Sequence, residues 1–168
     1  MTPGVFLKPL ATAGDAELRF AAENTLGKLA RWLRTLGFDT LYLARPDPEG
    51  LLRLAGRDRL LLTRTRRLAA RLPAGRALLI EPDAPREQVR QVIRQLGIPR
   101  ARVRLFSRCL RCNTAVEPMS REAAAGRVPD YVWQTQASFS TCPDCGRIYW
   151  AGSHLRRAQE IVEAFFAP

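Results

Sequence analysis

The stretch FAAENTLGKLARWLRTLGFDT, Phe20–Thr40, decides how the rest of the chain is read. Leu26, Leu29, Ala30, Leu33 and Leu36 recur at helical spacing, so one apolar stripe runs along a helix over Leu26–Leu36. Lys28, Arg31 and Arg34 fall on another face, with Trp32 at the boundary. Asn24 has the side chain of an N-cap, and Gly37 the backbone freedom of a helix stop. Glu23 stands at the helix entry, where a strand over Leu18–Ala22 ends. A carboxylate there, beside a helix carrying arginines, has the form of a metal-and-phosphate site. It is equally the form of a solvated surface.

Working outward, the same alternation continues. Thr40–Ala44 (TLYLA) reads as a strand, and Pro48–Ala55 as a short helix with Asp47 as N-cap, Pro48 at its first position and Gly56 after its end. Arg59–Thr63 (RLLLT) is a continuous apolar run, as expected of a parallel strand covered on both faces. Arg66–Leu72 is a brief helix and Ala77–Glu81 (ALLIE) another buried strand. Pro85–Leu96 is amphipathic through Val89, Val92, Ile93 and Leu96 and ends at Gly97. Strand and helix in strict alternation predict an α/β domain with a mainly parallel sheet over 18–105, after a leader of uncertain order over 1–17. Beyond Phe106 the grammar changes: residues 106–168 hold two cysteine pairs, a polar stretch between them and a last helix over Leu155–Phe166.

The chain has 168 residues, 46% of them apolar, enough to bury a core, and a net charge of +11. Lys8 and Lys28 are the only lysines, so the excess is arginine, the cation best suited to bidentate phosphate contacts. The charge favours a nucleic-acid partner; codon bias toward arginine is the competing explanation, though it accounts for residue choice rather than the net excess. No apolar run approaches the roughly 20 residues of a membrane span, and the N-terminus lacks the pattern of a secretory signal. His154 is the only histidine, which excludes a histidine-based metal site and a Ser-His triad. It reads as a helix-entry residue, a packing group or an RNA contact.

Cys109-Leu-Arg-Cys112-Asn113 and Cys142-Pro-Asp-Cys145-Gly146 are two knuckles, each turning two thiols toward one point. Asn113 and Gly146 follow where a left-handed residue lets backbone amides face the sulfurs. Four thiolates match the tetrahedral preference of a structural zinc ion. A module this poor in aliphatics needs the folding free energy that zinc supplies. A redox C-x-x-C or a pair of disulfides is the alternative; the paired spacing and a reducing cytoplasm favour the metal.

LGKLARWLRTLGFDT (26–40), Asp47 with Leu51-Leu52 and Ala55, RLLLTRT (59–65), SRCLRCN (107–113) and CPDCGRIYW followed by GSH (142–154) together resemble the Mut-seven-C ribonuclease domain family. The resemblance spans about residues 18–158. It implies a PIN-like three-layer fold with a zinc ribbon, RNA as partner, and metal-dependent hydrolysis of RNA using Mg²⁺ or Mn²⁺. Carried onto this chain, it implies Glu23, Asp39 and Asp47 as catalytic acids. Lys28, Arg31, Arg34 and Arg64 would hold RNA. The family's aspartate after the leucine-threonine-arginine strand end is Thr65 here, a neutral and weak ligand; Glu81 or Asp83 could supply the missing acid. The departure raises a second expectation: a catalytically degenerate module that binds RNA or a ribonucleoprotein partner without cutting.

Overall fold

The computed structural model describes residues 18–167. The leader 1–17 and the side chain of His154 lie outside the described residues. The alternating unit folds as β1 (Arg19–Ala22), a 3-10 turn (Asn24–Leu26) leading into α1 (Gly27–Thr35), β2 (Asp39–Tyr42), α2 (Pro48–Arg57), β3 (Leu60–Thr63), α3 (Arg66–Ala69), β4 (Ala77–Leu79) and α4 (Pro85–Leu96). All pairings among these strands are parallel, in the order β2-β1-β3-β4.

Alternating strand side chains divide the core into two layers. Phe20 and Ala22 of β1, with Leu60 and Leu62 of β3, join Leu26, Leu29, Leu33, Val89 and Val92 on the α1/α4 face. Ala21 and Leu61 point the other way, onto Leu51 and Ala55 of α2 and Leu68 of α3. Both faces of β3 are therefore covered, which is why it reads as an unbroken leucine run. The result is the three-layer α/β arrangement predicted above.

Local stops and starts differ in detail. Gly37 ends α1 with φ +95°, and a Cβ there would meet the Arg104 carbonyl oxygen at 2.5 Å, so only glycine suits both the turn and the close approach. Asp47 caps α2 by accepting from the Gly50 amide at 2.8 Å. Gly56 does not stop α2, which continues to Arg57. Asn24 is not the N-cap: Leu26 stands in that position for α1 and Glu23 before the 3-10 turn, with the Glu23 carboxylate committed to the end of β3 rather than to the turn's amides.

The second half contains β5 (Glu117–Met119), α5 (Arg121–Ala124), α6 (Asp130–Thr135), β6 (Phe139–Thr141), β7 (Ile148–Trp150) and α7 (Ser153–Phe166). Its three strands form an antiparallel sheet, β5-β6-β7. Ala124, Val128, Val132 and Phe139 make a small core of their own. The stretch read from sequence as merely polar supplies β5, α5 and most of that core. By contrast, α7 returns to the first unit: Val162 and Phe165 are buried in its core, and Phe165 meets Trp32 edge-on at 5.5 Å.

Candidate metal centre and nucleic-acid cleft

The two knuckles converge. All four cysteine sulfurs lie within 4.8 Å of one another, and none is in a disulfide. Cys109 and Cys145 are 3.7 Å apart, close to the edge of a tetrahedron with metal–sulfur bonds of about 2.3 Å, namely about 3.8 Å. Asn113 and Gly146 are left-handed, at φ 72° and 65°. Each amide closes its turn on the first cysteine's carbonyl at 2.9 Å. The Cys112 amide donates to the Cys109 sulfur at 3.3 Å and the Tyr149 hydroxyl donates to it at 3.1 Å.

Electrostatics favour a cation here. Burial opposes charge on Cys109, yet hydrogen bonds from Tyr149 and the Cys112 and Arg111 amides bring its thiol down to about 6. The hydrogen-bonded Cys145, burial and the adjacent Cys109 push Cys112 up to about 12. The thiolate at Cys109 thus disfavours a second one beside it unless a positive ion lies between them, and the set could hold a metal such as zinc. With four sulfur ligands no position is left open for substrate or water.

The second locus is the carboxyl edge of the parallel sheet. The order β2-β1-β3-β4 reverses direction between β1 and β3, and the crevice at such a reversal is where open α/β sheets bind ligands. Glu23 leaves β1 there, only 5% exposed. Its Oε1 accepts from the Thr25 hydroxyl and the Arg64 amide, both at 2.7 Å. Its Oε2 accepts from the Thr63 hydroxyl at 2.5 Å and the Thr65 hydroxyl at 3.4 Å. Four donors occupy the roughly four acceptor positions a carboxylate offers.

A cleft of about 440 Å³ opens over this edge, lined by Glu23, Asp47, Glu49, Thr65, Arg67 and Arg71 among others. Arg71 and Glu49 form a bidentate ion pair at 2.6 and 3.2 Å, while Asp47 is engaged as the α2 cap. Among the described residues the four cysteines are the group of three or more metal-type ligands whose donor atoms come together. The cleft carboxylates do not form such a group: Glu23 is taken up by its four donors, Asp47 by the α2 cap and Glu49 by Arg71.

The remaining sequence candidates disperse. Asp39 is not at this edge: it starts β2, at the opposite end of the sheet from Glu23. Arg59 holds it in a fork at 2.6 and 3.0 Å, and the Asn113 amide donates to it at 2.6 Å. Burial works against its charge, but Arg59 and Asn113 outweigh that and hold the carboxyl below the usual range. Arg34 is not on a solvated face either. It is buried, donating from Nε to the Thr40 carbonyl at 2.9 Å and from one terminal nitrogen to the Leu110 and Arg111 carbonyls at 3.1 and 3.0 Å. Helical spacing gives side-chain direction, but the knuckle that covers Arg34 comes from more than seventy residues away.

Lys28 and Arg31 are exposed and line a separate groove of about 690 Å³ with Trp32, Arg86 and Phe106. Arg64 contributes its amide to Glu23 and its guanidinium to Asp83 at 2.6 Å. Neither Glu81 nor Asp83 lines the cleft, so neither replaces the acid missing at Thr65. Sequence reasoning did not select Glu49, Arg67 or Arg71; the arginine run after Thr65 was the available signal.

Residues 18–162 match the model of the Mut7-C RNAse domain. The chain belongs to that family. The chain matches no curated protein and no solved structure. Membership in the Mut7-C family carries a ribonuclease-like function with RNA as its partner class. No helix among the described residues is long and apolar enough to cross a membrane.

Proposed function

We propose that this Mut7-C chain binds RNA across the Glu23 cleft and the Lys28–Arg31 groove without efficient cleavage, with structural Zn²⁺ on Cys109, Cys112, Cys142 and Cys145. The reading rests on one observation: every acceptor position of Glu23 is filled by a neutral donor, one of them the Thr65 hydroxyl. A carboxylate satisfied in this way braces the two central strand ends, because binding a cation would require giving up those bonds. Arg67 at the cleft and Lys28, Arg31 and Arg86 at the groove supply the positive surface for phosphates. The cytoplasm is the proposed location, and a ribonucleoprotein the setting in which a non-cutting domain is useful.

A second reading, RNA hydrolysis with Mg²⁺ or Mn²⁺, is favoured by the presence of Glu23, Asp47 and Glu49 in one cleft. Incubation of labelled single-stranded and structured RNA with either ion separates the two. Wild type is expected to bind without cutting, and Thr65→Asp to gain cleavage. Cutting by wild type that disappears in Glu23→Gln would establish hydrolysis and overturn the binding-only proposal.

A further inference from the structure

The outer side of the second knuckle carries a patch that shares no lining residue with the cleft. Arg111, Arg127, Arg147 and Trp150, with Pro129 and Ile148, line a pocket of about 390 Å³ whose lining contains no carboxylate. All three arginines are exposed, and among the described residues their side chains form no hydrogen bond or ion pair. Several arginines elsewhere are paired with acids, Arg59 with Asp39, Arg64 with Asp83, Arg71 with Glu49 and Arg100 with Glu163, whereas these three are gathered in one place without one. Three unpaired guanidiniums in one place repel one another, and a ligand with several anionic groups removes that cost.

Trp150 supplies the other half. It is 39% exposed at the end of β7, and a Cβ on Gly152 would meet its Nε1 at 3.1 Å, so the indole rests against the Gly152 backbone. A fixed aromatic face beside cations fits a nucleotide: the base stacks and the flanking phosphates pair with the guanidiniums. A duplex keeps its bases stacked on each other and offers none to the indole, so the matching partner is single-stranded. An acidic peptide would satisfy the charges but leave the indole without a stacking partner.

We propose that the outer face of the Cys142–Cys145 knuckle is a single-stranded RNA subsite, with one base stacked on Trp150 and its phosphates held by Arg111, Arg127 and Arg147. The inference rests on the reading that the chain binds RNA, and adds a second contact point. The zinc-loaded full chain is titrated against labelled single-stranded RNA, a duplex control and an acidic peptide at several salt concentrations. Trp150→Ala is expected to weaken single-strand binding about tenfold or more, while Trp150→Phe, which keeps a stacking face, stays near wild type. Loss of two phosphate contacts in Arg127→Ala/Arg147→Ala lowers the slope of log K against log salt by about 1.4.

Zinc content is measured in each variant, because the same arginines would also neutralise a dianionic zinc–thiolate cluster. Unchanged single-strand affinity in zinc-replete Trp150→Ala overturns the subsite. So does zinc loss in the arginine pair with RNA binding intact in Trp150→Ala, or tighter binding of the peptide than of the RNA. If wild type binds no RNA even at low salt, the proposed function fails as well.

Discussion

Arg34 is where structure and sequence disagree most sharply about a single side chain, and Arg34→Met measures the difference. The guanidinium makes three hydrogen bonds to buried or half-buried carbonyls, one on β2 and two in the Cys109–Cys112 knuckle. It also feels the nearby charges of Cys109, Cys112 and Asp39, against a burial cost that lowers its pKa. Hydrogen bonds from a charged donor are worth about 1.5–3 kcal/mol each. Taking the guanidinium out of water returns several kcal/mol of that sum. Methionine fills most of the volume but leaves the three neutral carbonyls without their donor, so a net loss of about 2–5 kcal/mol is expected. For a chain of this length that lowers the melting temperature by about 10 °C. The zinc-loaded variant should also release metal more readily to a chelator, because Arg34 ties the first knuckle to the sheet. Differential scanning calorimetry and a chelator titration give both numbers. An unchanged melting temperature and zinc retention, with weakened RNA binding, would refute the argument and return Arg34 to the RNA-contact role.

Two further outcomes follow from the same geometry. Cys142→Ser should lose bound metal, counted by native mass spectrometry, together with the ordered second unit, since a structural zinc contributes on the order of 10 kcal/mol; full metal content would contradict the four-sulfur centre. Asp39 has a depressed folded-state pKa, so its contribution is present above its unfolded value of about 3.9 and fades as pH falls through the folded value. Asp39→Asn should therefore cost about 1–3 kcal/mol at neutral pH. The gap from wild type should narrow below about pH 4 in denaturant titrations, where a constant gap would exclude the ionic role.

The structure explains why some predictions could be made from sequence and others could not. The leucine runs of β3 and α1 and the glycine at 37 are local signals, and the alternation they announce is the fold that forms. The knuckles were equally legible, because a C-x-x-C turn with Asn113 or Gly146 after it sets its own geometry. Glu23 could be placed at a strand end, but three of its four donors, Thr63, Arg64 and Thr65, come from the end of a different strand some forty residues on. Asp39 and Asp47 both read as acids near strand ends; only the direction of β2 separates them, putting Asp39 at the far end with Arg59.

Sequence alone determined the strand–helix alternation and the cysteine centre, since each depends on periodicity or spacing within a short span, and its motifs carried the resemblance to the ribonuclease family along most of the chain. Tertiary structure decided which charges are free to meet a ligand. It buried Arg34 under the first knuckle, locked Asp39 to Arg59 and Asn113, enclosed Glu23 among hydroxyls, and left Arg111, Arg127 and Arg147 unpaired beside Trp150 among the described residues. The physical reason is that a charge is neutralised or exposed by whatever packs against it, and those partners come from distant parts of the chain.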